Sequence, residues 1–149
     1  MAEREYIYTM DIYPQQYEDM NRVYKFYEYL REENKLTTTK CNDCGKVHWP
    51  PRVVCRECLS DNLEYIDLPS VGKVVAFSVS YAGVAPQFTP PVTYAIIDYP
   101  EYEIRLISPL IETDVAKVEV GSEVELKIVD VDPDQDGRKR VMFFYKLKE

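Results

Sequence analysis

Four cysteines carry the clearest chemistry in this chain. They fall in two Cys-x2-Cys pairs, Cys41-Asn-Asp-Cys44 and Cys55-Arg-Glu-Cys58, with ten residues between the pairs. Two intervening residues let both sulfurs of a pair point at one ion from a tight turn. Two such knuckles surround one metal with four thiolates. Gly45 follows the second sulfur and can take the positive φ that such a knuckle needs. Four thiolates suit zinc or iron, and zinc needs no redox environment. A disulfide framework would also use an even cysteine count, but a chain without a secretory leader is expected here and a doubled Cys-x2-Cys is unusual for that purpose. A thioredoxin-type dithiol needs one pair, not two. A closed four-sulfur shell leaves no position for water or substrate. The metal is therefore expected to fold its segment rather than to catalyse. Lys46, Arg52 and Arg56 lie within the segment and are placed by sequence to offset the excess negative charge.

The elements that hold these sulfurs read as a ribbon. Leu36 to Lys40 is Thr-rich and strand-like and leads into the first knuckle. Val47-His48-Trp49 reads as the return strand, halted by Pro50-Pro51, and Val53-Val54 enters the second knuckle. His48 is the only histidine. With four cysteines present it is expected to be a strand side chain and not a ligand. Leu63 to Leu68 reads as a further short strand, and Pro69 to Gly72 as a linker.

Before the ribbon, Tyr17 to Glu33 has helical spacing. Met20, Val23, Tyr24, Tyr27 and Leu30 form one apolar face, with Phe26 and Tyr29 away from its middle. Pro14 suits a first helical turn and Asp19 the positive end of the dipole. Tyr6, Tyr8 and Tyr13 form an aromatic arm. The chain uses thirteen tyrosines, which serve either a protein-binding surface or the molecule's own core.

Beyond the linker the period becomes two. Val75, Phe77, Val79 and Tyr81 alternate with Ala76, Ser78 and Ser80. Ala82 to Pro91 holds Gly83, Pro86, Pro90 and Pro91 and must be a loop. Val92, Tyr94 and Ile96 form the next alternating set, then Ile104 and Leu106, then Val124, Leu126 and Ile128, then Val141, Phe143, Tyr145 and Leu147. Five strands whose edges must be closed fit a small Greek-key barrel of the OB-fold type, and a sandwich is the runner-up. The predicted fold is mainly β with an N-terminal helix. Its parts are residues 1–36 as arm and helix, 37–69 as zinc ribbon, and 70–149 as the five-stranded OB-fold barrel.

A length of 149 residues suits one ordinary domain or two small ones. No apolar run approaches a membrane span, so a soluble, cytoplasmic protein is expected. The net charge of -8 argues against broad binding of nucleic acid. Asp132, Asp134, Asp136 and Gly137 match the opening of a calcium loop, but Phe143 stands where the closing glutamate belongs. A solvated acidic turn is expected there, with Arg138-Lys139-Arg140 balancing its charge or meeting a phosphate. No Gly-rich phosphate loop, nucleophile elbow or metalloprotease motif occurs. No residue qualifies as catalytic, and the metal ligands are Cys41, Cys44, Cys55 and Cys58.

Taken in order, these segments resemble the family catalogued as domain of unknown function thirty-five. That family joins a rubredoxin-like zinc ribbon to an OB-fold after an N-terminal helix. The marks are Cys41-x2-Cys44-Gly45, Trp49-Pro50-Pro51-Arg52 before Cys55-x2-Cys58, then Gly72 to Ser78, Pro91 to Ile97, and Val120 to Val124. The match covers nearly the whole chain, and the order of the segments carries it. One departure stands out. The family usually has a glycine just before the strand that begins at Glu103, and here the turn reads Tyr99-Pro100-Glu101-Tyr102.

The resemblance implies an acyl-CoA-associated protein with no reaction of its own. It implies structural zinc, binding of CoA or acyl-CoA, and association with a thiolase-superfamily enzyme. In archaea it implies a bridge between acetoacetyl-CoA thiolase and HMG-CoA synthase. The condensation is uphill, so direct hand-over of its product helps. The loop from Ala82 to Pro91 offers Phe88 to a pantetheine arm, with basic residues for the phosphates. The alternative is a single-stranded nucleic-acid-binding OB-fold protein. The charge of -8 and the lack of a basic, aromatic-interleaved strand face weigh against it.

Overall fold

The computed structural model describes residues 11–149. The arm residues Tyr6 and Tyr8 lie outside them. Among the described residues, one α-helix precedes two antiparallel sheets. Helix α1 spans Tyr24–Glu33, and the strands are β1 (Thr37–Cys41), β2 (Val47–His48), β3 (Leu63–Asp67), β4 (Val71–Ser80), β5 (Val92–Tyr99), β6 (Ile104–Pro109), β7 (Glu123–Val131) and β8 (Arg140–Leu147). The first sheet has the order β2-β1-β3 and the second β6-β5-β4-β7-β8. The mainly β fold with a ribbon followed by a five-stranded barrel is as expected.

The threonines of β1 explain how so small a sheet holds together. Thr37, Thr38 and Thr39 are buried in its central strand. The Thr38 hydroxyl donates to the His48 carbonyl, and the Thr39 hydroxyl accepts from the Arg52 N–H at 2.9 Å. Side chains thus tie β2 and the segment after it to the strand, where only two residue pairs form a backbone ladder.

The helix departs from its expected extent. It begins at Tyr24, seven residues after Tyr17. Met20 and Asn21 both donate to the Tyr17 carbonyl, and the Asn21 side chain accepts from the Val23 N–H and donates to the Gln15 carbonyl. Asparagine here offers the backbone an alternative to helix. Met20 is exposed, and the innermost residues are Phe26 and Leu30, one turn apart. Pro14 precedes the helix by ten positions, and Asp19 pairs with Arg138 at 2.9 Å instead of serving a helix end. Asn34 ends α1 with φ +51° and donates to the Tyr29 carbonyl.

The second sheet curls because β4 changes partners. It pairs with β5 along its length but with β7 only over Val71–Lys73. The register slips between Val74 and Ala76, and such a bulge bends the strand. Leu110 bridges Tyr145 in parallel, and the Ile111 N–H donates to the Tyr145 carbonyl at 2.9 Å. These contacts bring β6 to β8 and nearly close the barrel. Its interior holds Val74, Ala95, Ile97, Leu106, Val124 and Tyr145. Burying each of the larger aliphatic side chains contributes about 2 kcal/mol.

Two expectations for these strands are corrected, and the expected turn after β5 takes a definite shape. The set Val75, Phe77, Val79 and Tyr81 does not point inward as a unit, since the bulge gives the core position to Val74 and leaves Tyr81 exposed. Gly72 is not linker but a buried position of β4, where a Cβ would lie 2.4 Å from Ile97 Cγ2. The turn after β5 is a short 310 segment, Pro100–Tyr102, closed by Glu103 at φ +56°. A glutamate therefore takes the left-handed position immediately before β6, its N–H donating to the Pro100 carbonyl.

The tyrosines divide between core and surface. Tyr99 and Tyr145 are buried, their hydroxyls 2.7 Å apart. Tyr17 lies between the Arg31 and Arg138 guanidinium groups, 4.1 and 4.3 Å from its ring centre.

Candidate metal centre and a cleft on the barrel

The two knuckles are built alike. In the first, the Cys41 N–H donates to the Lys46 carbonyl and Gly45 donates back to the Cys41 carbonyl, both at 2.9 Å. In the second, Cys55 donates to Ser60 at 2.8 Å and Leu59 donates back to Cys55 at 3.0 Å. Each turn aims its two sulfurs across the ribbon at the other pair. The four Sγ atoms lie within 4.8 Å of one another. Cys41 and Cys58 are 3.6 Å apart at sulfur, and so are Cys44 and Cys55. A tetrahedron of thiolates around zinc has sulfur–sulfur edges of about 3.8 Å. The set therefore fits a four-coordinate ion, with Cys41 and Cys55 buried and Cys44 and Cys58 facing outward.

Local donors polarise these thiols before any ion arrives. The Cys44 N–H, outweighing burial, lowers Cys41 to about 7, helped by the Asp43 N–H. The Ser60 N–H favours the Cys58 thiolate, but hydrogen bonding to Cys41 and burial outweigh it and raise Cys58 to about 12. Burial opposes the Cys55 thiolate, yet the backbone N–H groups of Cys58 and Glu57 bring it below its ordinary value.

His48 does more than fill a strand position. It is 3% exposed, and its Nε2 lies 3.3 Å from Cys55 Sγ. Burial, then the charges of Arg52, Lys46 and Arg56, hold the ring below its ordinary pKa, so it stays neutral. A neutral ring N–H supports a metal-bound thiolate by donating to it without replacing a ligand. The sequence signal was present: β2 runs between the knuckles, and alternation turns His48 inward. Sequence reasoning also missed the clasp beside it. The Ser60 hydroxyl donates to the Asp43 carboxylate, and Asn42 bonds Asn62 through backbone and side chain, joining the two knuckles.

The acidic turn is built as a hairpin connection. Asp134 is buried and accepts from the N–H groups of Asp136 and Arg138 and from Arg138 Nε at 2.7 Å. The expectation of a fully solvated turn is corrected at this residue. Arg140 is also buried, bonding the carbonyls of Asp132 and Pro133 and the Asp11 carboxylate. Arg138 and Arg140 thus balance charge within the fold.

A cleft of about 890 Å³ lies on the barrel, lined by Phe88, Pro91, Val92, Leu110, Val129 and Phe144. The rings of Phe88 and Phe144 meet edge to face at 5.5 Å. The Pro-rich loop folds back over β8 to make this wall. The ionic lining is acidic, formed by Glu112, Asp130 and Asp132. Lys127 and Lys139 reach Glu112 and Asp130 at 3.9 and 3.6 Å. No helix among the described residues is long and apolar enough to cross a membrane.

Comparison with known proteins agrees with this anatomy. Residues 30–64 match the family described as ChsH2, rubredoxin-like zinc ribbon domain. The chain is similar to a DUF35 domain-containing scaffold protein of Methanothermobacter thermautotrophicus, 28% identical over 133 residues, 87% of this chain and 86% of that one. It is similar to the benzoylsuccinyl-CoA thiolase subunit BbsA of Thauera aromatica, 28% identical over 107 residues, 72% of each. The solved Ltp2-ChsH2(DUF35) aldolase shares the fold, with TM-score 0.70 and 23% identity over 85% of this chain and 95% of that one. The resemblance to DUF35 proteins holds in both sequence and fold.

Proposed function

We propose that this protein is a non-catalytic scaffold that binds acyl-CoA and docks a thiolase-superfamily enzyme. The observation that carries the reading is the extent of similarity: 87% of the chain aligns with a scaffold protein and 72% with a thiolase subunit, well beyond the ribbon alone. Zinc held by Cys41, Cys44, Cys55 and Cys58 is structural in this reading, since four sulfurs fill its coordination. Residues 37–69 then act as a metal-stiffened ribbon and residues 70–149 as the barrel. A cytoplasmic setting goes with acyl-CoA chemistry.

The cleft beneath Phe88 is the candidate seat for the acyl and pantetheine part of the ligand. Its apolar wall suits a thioester chain, whereas Glu112, Asp130 and Asp132 repel phosphate. The diphosphate therefore stays at the mouth, in solvent or on the partner. The specific form of the scaffold that we favour bridges acetoacetyl-CoA thiolase and HMG-CoA synthase.

Two measurements test this. Acetoacetyl-CoA is titrated calorimetrically into the protein, alone and mixed with the thiolase of the same organism, using wild type and Phe88→Asp. Binding that the substitution abolishes is the expected result, and no heat with any acyl-CoA in either setting sinks the ligand assignment. Size-exclusion chromatography of the chain with both enzymes then tests the bridge, which requires all three to elute together.

A further inference from the structure

We infer that the cleft beneath Phe88 admits only uncharged acyl groups and turns away acyl-CoA whose acyl group ends in a free carboxylate; this rests on the acyl-CoA reading above. The inner wall is apolar. Val92, Leu110 and Phe144 are buried, and Phe88 stands edge-on to Phe144. A carboxylate brought against such a wall loses its water and needs a cation or several N–H donors in return. Among the described residues, no lysine, arginine or histidine lines the cleft.

Three backbone donors of the lining are already committed. The Leu110 N–H donates to the Thr93 carbonyl at 2.8 Å, the Ile111 N–H to the Tyr145 carbonyl at 2.9 Å and the Phe88 N–H to the Ala85 carbonyl at 2.9 Å. The Thr113 hydroxyl is committed too, donating to the Ile111 carbonyl and accepting from the Leu147 N–H. Tyr13, Gln87 and Thr89 supply the lining's other side-chain donors, all neutral. Donors of this kind suit a ketone or thioester carbonyl, whereas a desolvated anion demands more.

The charge at the mouth works in the same direction. Glu112, Asp130 and Asp132 stand there. Lys127 and Lys139 reach the first two at 3.9 and 3.6 Å, but solvent reaches all four side chains and neither lysine is part of the lining. Asp132 has no ion pair among the described residues. The nearby Arg140 bonds only the backbone carbonyl of Asp132 and spends its charge on the Asp11 carboxylate at 2.8 Å. Burial, then the Asp132 charge, raises the Tyr13 phenol above its ordinary pKa, and Arg140 opposes this less than Asp132 promotes it. The field at that wall is therefore negative even beside a guanidinium.

Acetoacetyl-CoA and malonyl-CoA provide the test, because a charged oxygen in the second replaces the terminal methyl of the first. Their CoA portions are identical, so repulsion of the phosphates cancels in the ratio of affinities. Each is titrated calorimetrically into the metal-loaded full chain at neutral pH, alone and mixed with the thiolase of the same organism, with the heat of the thiolase by itself subtracted. Acetoacetyl-CoA is expected to bind about tenfold more tightly or better. Phe88→Lys puts a cation on the wall and is expected to bring the ratio to about one or to invert it. Equal affinities in wild type overturn the inference and leave the acyl-CoA reading standing. A preference that Phe88→Lys leaves unchanged also overturns it, since the acyl end then lies outside this cleft. No heat with either thioester in either setting sinks the acyl-CoA reading itself, and the inference falls with it.

Discussion

Trp49 of the ribbon stands edge-on to Phe143 of the barrel, with ring centres 5.8 Å apart and planes at 84°. Phe26 of α1 completes the group, 5.8 Å from each of them. One ring comes from each part of the fold, so this cluster is the joint at which helix, ribbon and barrel meet. Edge-to-face contacts prefer one orientation, so the joint fixes angles as well as distances.

Trp49→Ala is therefore expected to cost about 3 kcal/mol in denaturant unfolding. Metal content should stay at one ion per chain, because the substitution leaves the sulfurs untouched. A double-mutant cycle with Phe143→Leu should return a coupling of about 1 kcal/mol. A coupling of zero would mean that the rings pack independently and that the joint is held elsewhere.

The buried turn aspartate makes stability depend on acid. Burial alone would raise the Asp134 carboxyl, but the Arg138 N–H, the Arg138 side chain and the Asp136 N–H together hold it below the usual carboxylate value. A lowered folded pKa contributes stability above the unfolded value of about 3.9, and that contribution is lost as pH falls through the folded one. Asp134→Asn is expected to destabilise by about 2 kcal/mol at pH 7, with the difference from wild type shrinking below about pH 4. Denaturant midpoints measured from pH 7 to pH 2 check both the size and the sign.

Much of this was legible in the sequence because it is local. Cys-x2-Cys turns and two-residue alternation depend on neighbours, and both knuckles and all five barrel strands were readable from them. Long-range polar contacts were not. The Gln16 side chain exchanges two hydrogen bonds with the Val141 backbone, 125 positions away, and so pairs with the edge of β8 as a strand would. Arg140 reaches Asp11 across 129 positions. Neither leaves a periodic trace. The helix start was misread because Asn21 sits in an apolar period yet bonds its own backbone, a competition that spacing alone does not reveal. Asp134 looked solvated because acidic runs usually are, although Arg138 stands four positions on and could have signalled the pair.

Gly72 gives a test of close packing inside β4. Gly72→Ala pushes a methyl against Ile97 Cγ2 and within 3.4 Å of the Tyr99 ring. We expect a loss of about 2 kcal/mol in thermal or denaturant unfolding, since the barrel interior has little room to shift. Gly121, at φ +95° with open space around it, is the control, and alanine there should cost about 1 kcal/mol through backbone strain alone. Equal effects at both sites would mean that the barrel yields around Gly72.

The buried tyrosine pair offers the sharpest comparison. Tyr145 donates to the Tyr99 hydroxyl at 2.7 Å, and Tyr99 donates to the Pro69 carbonyl at 2.9 Å, where the chain passes from ribbon to barrel. Burial, then the neighbouring Tyr99, pushes the Tyr145 phenol far above its ordinary range. Tyr145→Phe removes one donor and leaves the Tyr99–Pro69 bond intact, so it should cost about 1 kcal/mol. Tyr99→Phe strands both the Tyr145 hydroxyl and the Pro69 carbonyl, and about 2 kcal/mol or more is expected. A raised folded pKa keeps its stabilising contribution below the unfolded value of about 10 and loses it as pH climbs toward the folded one. On alkaline titration followed by ultraviolet absorbance, these two phenols should ionise only with unfolding, after the exposed tyrosines. If Tyr99→Phe proves no worse than Tyr145→Phe, the relay does not hold the junction and the ring contacts around Trp49 carry it alone.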